Sequence, residues 1–424
     1  MKFLNKKEIK NASWLIAGRV IQMCLSLFIN LVTARYFGPS NYGTINYASS
    51  FVAFFSSLCN LGLNYVILKD LIENKEEQGL TIGTSIAMRA ISSLLSIIAI
   101  YGLVNITDNG DSQTILIVVL CSFAVFFNAF DTFIYWFQIQ YKSKVVSIAT
   151  LIGYLVLSLY RILLLILKKD ISWFAIASSI DYAIIGFILW VAYRINGGPK
   201  LKMSIKKAKY LFSKSYHYII SGMMVTIYGQ TDKFMLKHLM SNESVGYYSC
   251  ASTICIAWVF VLTAIIDSML PTIIRLYGEN KEMYERKNKQ LYAIVFYISI
   301  FVSIIFMFAS RLVIKILYGI EYLPASTSLQ ILSWYIAFAY LGVARNAWLT
   351  CENKQKYEKY IYMIAAFANI GINFALIPVL GANGAALATL ITQLMTCIFI
   401  PILFKELRHN VKLMFEAIIL KGVF

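Results

Sequence analysis

VVSIATLIGYLVLSLYRILLLIL (Val145–Leu167) carries a single charge, Arg161, and is closed by Lys142 and Lys144 before it and Lys168, Lys169 and Asp170 after it. A helix rises about 1.5 Å per residue, so an apolar run of this length covers the roughly 30 Å of a bilayer's hydrocarbon. The same pattern recurs along the chain. Apolar blocks lie near 12–35, 43–68, 82–106, 114–138, 145–167 and 171–193, then near 212–236, 247–274, 290–310, 325–350, 360–380 and 384–404. They are continuous, without the alternation of barrel strands, so helices must satisfy the backbone in lipid. The fold class expected is an all-α integral membrane protein of about twelve transmembrane helices.

Composition points the same way. Of the 424 residues, 59% are apolar and only 14% charged, against about 45–50% apolar in soluble domains. The joins between blocks are short, the longest being Arg194–Lys214, which leaves no room for an extramembrane catalytic domain. The basic start Met1–Lys10 precedes a stretch longer than a signal-peptide core, which reads as an uncleaved first span.

The net charge of +17 is scattered through short loops rather than gathered on one domain, which argues for a topological signal and against nucleic acid. With both termini cytoplasmic, the inner segments hold 27 lysines and arginines and the outer loops 5. Basic residues are retained inside, so this asymmetry fixes the expected orientation. Anionic membrane lipid is the partner those loops suit. The domains expected are an N-terminal six-helix bundle (1–195), a basic cytoplasmic linker (196–211), and a C-terminal six-helix bundle with a short cytoplasmic tail (212–424). The apolar end Leu413–Phe424 is too short to span and is expected at the interface. Sliding the sequence by 203 residues places Gly43 on Gly246, Ala48 on Ala251 and Ser49 on Ser252. This echo suits parallel halves related by an axis along the membrane normal.

Charges within spans are expensive and generally face a bundle interior or a watery cavity. Arg19, Arg89, Arg161, Lys233 and Arg345 are the basic ones, candidates for a cationic cavity that binds an anion such as a diphosphate. Asp131, Asp181, Asp232 and Asp267 are the acidic ones. They are candidates for ion coupling or for ion pairs with the cations, and Asp232 beside Lys233 suggests a position near the aqueous boundary. Both readings stay open at this point. Polar residues within spans, Asn64, Asn128, Gln138, Asn369 and Asn373 among them, read as interhelical hydrogen-bond glue. The seven cysteines lie mostly in apolar runs without paired spacing, and His217, His238 and His409 are far apart, so no metal site is expected. No GxSxG, HExxH or Walker sequence occurs, and no cofactor or catalytic residue is expected.

ARYFGPSNYG (Ala34–Gly43) and NLGLNYVILKDL (Asn60–Leu71) resemble the first two helices of Wzx-type polysaccharide repeat-unit flippases, of the MOP superfamily. TDKFMLKHLMSNESVGYYSCAST (Thr231–Thr253) resembles that family's seventh helix, outer turn and start of helix eight. NFALIPVLGANGAALAT (Asn373–Thr389) is similar to its eleventh and twelfth helices. The resemblance implies two six-helix bundles that open alternately to either side of the bacterial cytoplasmic membrane. It implies a cargo of undecaprenyl-diphosphate-linked oligosaccharide for O-antigen, capsule or exopolysaccharide biosynthesis. Proton or sodium coupling, and a polysaccharide polymerase and chain-length regulator as partners, follow from it as well. Asp232 and Lys233 fall in the best-matched motif.

The nearest rival is a MATE-like cation-coupled exporter of small molecules, whose cargo favours an acidic cavity. Peptidoglycan-precursor flippases of the MurJ kind resemble fourteen spans rather than twelve. A membrane glycosyltransferase or polymerase fits the short outer loops poorly, and an uncoupled lipid scramblase would look the same in sequence.

Overall fold

Gly38 breaks the first long helix, and the break follows from its neighbour: proline disfavours helical backbone in the residue before it. In the computed structural model, α1 (Lys6–Cys59) is two helices joined at Gly38, whose φ of 70° suits glycine alone, with Pro39 starting the second. The structure describes the backbone of residues 6–108 and 110–423, and side chains from residue 21 onward apart from 109, 220, 221 and 424.

The remaining helices follow in order. α2 (Leu63–Glu73), α3 (Gln78–Thr107), α4 (Ser112–Phe127), α5 (Thr132–Ile139), α6 (Ser143–Ile166) and α7 (Ile171–Ile195) lead to α8 (Ile205–Leu239). Then come α9 (Asn242–Ile256), α10 (Phe260–Glu279), α11 (Lys281–Leu317), α12 (Ala325–Cys351), α13 (Glu358–Leu380), α14 (Ala382–Leu394), α15 (Ile400–Leu403) and α16 (Arg408–Ile418). Each of the twelve expected spans falls on this helical framework. Among the described residues, ten helical stretches are long and apolar enough to cross a membrane, one of them, Ile21–Glu73, holding parts of the first two expected spans. Large apolar side chains such as Phe308, Ile106 and Val379 are exposed along these helices. Water would penalise that surface, whereas lipid does not.

Several spans are interrupted midway. Leu61 and Gly62 take left-handed backbone before α2, the Asn128–Asp131 segment between α4 and α5 is a 3₁₀ turn, and Met395–Phe399 after α14 is a π turn. Irregular backbone at membrane depth survives only where protein or a polar cavity satisfies it. These breaks therefore mark where polar side chains should gather.

By packing, the chain forms two units: residues 1–37 with 44–226, and residues 38–43 with 227–424. The change of unit near Thr226 lies inside α8, so the basic stretch 196–211 packs with the first unit. It is a strap rather than a loose loop. The Lys202 amide donates to the Gly79 carbonyl at 3.1 Å, the Ser204 amide to the Thr84 hydroxyl at 3.2 Å, and the Tyr193 hydroxyl to the Pro199 carbonyl at 2.6 Å. Gly79 and Gly83, one helical turn apart, admit this strand: a Cβ on either would lie 2.3 Å from the carbonyl oxygens of Lys200 and Lys202 respectively. Lys207 closes the strap, its ammonium 2.9 Å from Asp70 and 2.8 Å from Glu77. Asp70 also accepts from Thr81 at 2.5 Å and Asn74 at 2.9 Å. Burial alone would lower the Lys207 pKa, but the hydrogen bonds to Glu77 and Asp70 outweigh it and hold the pKa above the usual lysine value.

In the second unit, the turn Gly38–Gly43 locks onto the start of α9. A Cβ on Gly43 would lie 1.7 Å from the Asn242 carbonyl oxygen, and one on Gly246 would lie 2.1 Å from that of Pro39. The two glycines matched by the 203-residue echo thus serve the same junction. Tyr42 adds ring contacts to Tyr318 and Tyr322 at 6.3 and 6.1 Å. The chain's end is a short amphipathic helix, α16, whose Leu413, Met414 and Ala417 are buried in the core of this unit. Its Asn410 amide donates to the Tyr292 hydroxyl at 2.7 Å, and Glu416 pairs with Lys289, which holds the Glu416 carboxyl below its usual range.

Candidate functional site

In the second unit, Asp232 on α8 is buried, 4% exposed. A carboxylate taken out of water must be satisfied by donors, and three helices supply them. Asn373 on α13 donates its amide to Oδ1 at 2.6 Å, while Tyr248 on α9 and Thr389 on α14 donate their hydroxyls to Oδ2 at 2.5 and 2.8 Å. Asn369, one turn before Asn373, extends the network: it accepts from Asn373 at 3.0 Å and donates to Thr392 at 3.4 Å.

The local sequence explains the convergence. Gly246 lets α9 begin close against the Gly38–Gly43 turn, which sets the position of Tyr248 on the same helix. Gly381, with φ of 54°, turns the chain sharply between α13 and α14 so that Asn373 and Thr389 both reach Asp232. A Cβ on Gly384 would lie 2.3 Å from the Leu376 carbonyl oxygen, so the two helix ends can approach only with glycine there. Tyr248, Asn373 and Thr389 thus lie in segments whose motif resemblance is given above.

The chemistry of this group is specific. Tyr248, Asn373 and Thr389 are neutral donors, and among the described residues no lysine or arginine forms an ion pair with Asp232. Lys233 is its sequence neighbour, partly buried and within electrostatic range. The side-chain amide oxygen of Asn373, Oδ1, is buried with no donor among the described residues. Carboxylate, amide and hydroxyl oxygens together form a hard-oxygen set that suits a proton or a small monovalent cation. Among the described residues, no group of three or more histidine, cysteine or acidic side chains forms a metal site.

In the first unit, Arg89 on α3 is buried at 1% exposure. It donates to the Thr132 hydroxyl at 3.1 Å and the Asn64 amide oxygen at 2.6 Å, and lies 5.9 Å from the centre of the Tyr135 ring. Asn64 is available because α2 starts afresh after Gly62, and Thr132 because α5 starts after the 3₁₀ turn. That turn ends at Asp131, which lies within electrostatic range of Arg89 and Asp181, and Asp181 within range of Arg161. Two arginines and two aspartates therefore share the polar interior of this unit, with Arg161 only partly buried on α6.

Arg345 lies on α12. It is 2% exposed in the core of the second unit and donates to the Thr396 carbonyl at 3.0 Å. A π turn frees carbonyls from the regular ladder, and Arg345 satisfies one of them. Asp267 is exposed on α10 and forms no ion pair among the described residues. The Arg19 side chain lies outside the described residues.

Sequence reasoning left out Tyr248 and Thr389 and treated Asn369 and Asn373 as glue. Their four-residue spacing puts both asparagines on one helix face, which was the available signal. Hydroxyl residues are too common in this chain to single out two.

Comparison with known proteins adds the lineage. The family model described as "Polysaccharide biosynthesis protein" matches residues 9–277. The capsular polysaccharide biosynthesis protein CapF of Staphylococcus aureus is 23% identical over 401 residues, covering 92% of this chain and 97% of CapF. Among solved structures, the lipid II flippase MurJ in an inward closed conformation superimposes with a TM-score of 0.72 at 16% identity, over 96% of this chain and 90% of that one. An inward-facing multidrug resistance MATE family transporter of the MOP superfamily also gives 0.72, at 12% identity, over 93% and 96%. At such identities the structural likeness speaks for the fold, and the family match covers more than half of the sequence. The chain belongs to the polysaccharide biosynthesis protein family, and it is a multi-pass membrane protein with the fold that MurJ and the MATE transporters share.

Proposed function

We propose that the protein is a flippase that carries undecaprenyl-diphosphate-linked oligosaccharide repeats from the cytoplasmic to the outer face of the bacterial cytoplasmic membrane. Both termini are cytoplasmic in this reading, and transport is by alternating access. The family and its capsular relative support the cargo class. The observation that carries the mechanism is the buried Asp232, held by neutral donors from three helices. A site of this kind changes its charge on taking up a proton or sodium, and that change is what an ion-driven cycle needs.

Moving a sugar diphosphate through hydrocarbon would strip its charges and hydroxyls of water, at a cost far above thermal energy. Cationic groups that replace that water lower the barrier. Arg19, Arg161 and Lys233 remain the candidate cations for the anionic cargo, each within its own unit, while Arg89 and Arg345 hold polar backbone and side chains inside theirs. Asp131 and Asp181 balance the arginines of the first unit.

The test is a gene deletion followed by extraction of undecaprenyl-linked sugars and an assay of surface polysaccharide. Loss of surface polymer with completed lipid-linked repeats trapped on the inner face is the expected result. Normal surface polymer without such accumulation would overturn the reading and bring a small-molecule exporter forward.

A further inference from the structure

At the end of the first unit that carries the linker strap, a cleft of 730 Å³ opens between the end of α2 and the turn after α5. That volume falls in the range typical of small-molecule sites, about 300–1,000 Å³. Its polar wall is Lys75, Gln78, Gln138, Gln140 and Tyr141, and none of its lining residues is acidic.

The wall is partly pre-set. Gln78 donates to the Leu71 carbonyl at 3.1 Å and accepts from the Trp136 indole at 3.3 Å, so its amide is fixed in direction. Among the described residues, the side chains of Lys75, Gln138 and Gln140 make no hydrogen bond or ion pair, which leaves them able to meet a ligand. Tyr141 has φ of 54° and stands at the helix end where glycine is the ordinary choice. The residue is 60% exposed at the rim.

We propose that this cleft is a sugar-recognition subsite, which reads the glycan of the lipid-linked cargo before translocation. The inference rests on the flippase reading. An amide both donates and accepts, so adjacent glutamines match the paired donor and acceptor character of sugar hydroxyls. The exposed tyrosine ring offers an apolar face with a polar tip, and the one cation, Lys75, favours an anionic or neutral ligand over an organic cation. Aliphatic residues on the floor take the apolar edge of the sugar ring.

The test has two arms, with Gln138→Leu/Gln140→Leu as the disabling pair and Gln138→Asn/Gln140→Asn as the conservative pair. In the first arm, the purified full chain in lipid nanodiscs is examined by saturation-transfer NMR with N-acetylglucosamine, galactose and rhamnose in turn. Saturation transfer to at least one sugar is expected, falling about tenfold in the leucine pair as two hydrogen bonds are lost and surviving in part in the asparagine pair, with unchanged melting of all forms. No transfer to any sugar in the unmodified protein, or equal transfer in the leucine pair, overturns the subsite. In the second arm, the variants complement a deletion strain, and surface polymer about tenfold lower with the leucine pair supports the subsite. Full export by the leucine pair overturns it while leaving the flippase reading intact. Failure of the unmodified gene to restore export overturns the flippase reading instead, and the NMR arm then decides the subsite alone.

Discussion

Asp232→Asn is expected to leave the protein inserted and folded while cutting gradient-driven export by up to about a hundredfold, the upper range of coupling between two sites. Asparagine keeps the size of the side chain and one acceptor for the donors around it, so the helices stay joined. What it removes is the charge that a proton or sodium would neutralise. Tyr248→Phe is expected to act in the same direction but less strongly, since the hydrogen bond it loses to a charged acceptor is worth about 1.5–3 kcal/mol and two donors remain. Export is measured in everted vesicles with and without an imposed ion gradient, alongside thermal melting of the purified variants. If Asp232→Asn exports at the normal rate and still responds to the gradient, coupling lies elsewhere, and Asp131 and Asp181 become the next residues to replace.

Gly246→Ala and Gly43→Ala are expected to damage the fold itself. The added Cβ would lie 2.1 Å from the Pro39 carbonyl oxygen in the first case and 1.7 Å from that of Asn242 in the second. Overpacking typically costs about 1–3 kcal/mol and more when the obstacle is backbone, which no rotamer change relieves. Both variants should therefore yield little protein and melt well below the parent. Gly278→Ala is the control, because nothing lies within 4 Å of its Cβ. It should be neutral or gain up to about 1 kcal/mol from better helix propensity. Normal melting of Gly43→Ala and Gly246→Ala would contradict the close packing of the Gly38–Gly43 turn on α9.

The spans were legible because a bilayer imposes a length on every apolar run, as Val145–Leu167 illustrates, and that signal needs no partner. The breaks inside spans were not, because Asn128–Asp131 and Met395–Phe399 contain neither proline nor glycine to announce them. Lys207 read as one more loop charge. Its partners Asp70 and Glu77 lie 137 and 130 residues earlier in the chain, a separation that charge counting cannot bridge. Asp232 was visible as an intramembrane acid, but Tyr248 and Thr389 become its donors only through the close packing of Gly246 on the Gly38–Gly43 turn and the sharp turn at Gly381. The arginines show the opposite case. Their cost in lipid made them candidates for a ligand site, yet the hydrogen bonds of Arg89 and Arg345 are spent within their own units.

The most direct measurement is reconstitution of the purified protein into liposomes that hold an undecaprenyl-diphosphate-linked repeat in both leaflets, with a membrane-impermeant glycosidase added outside. In protein-free liposomes only the outer-leaflet share is cleaved. The account predicts that the protein exposes the remaining repeats to the enzyme, faster when a proton or sodium gradient is applied, and that Asp232→Asn abolishes the acceleration. Cleavage that stops at the outer-leaflet share in the presence of folded protein and a gradient would contradict it.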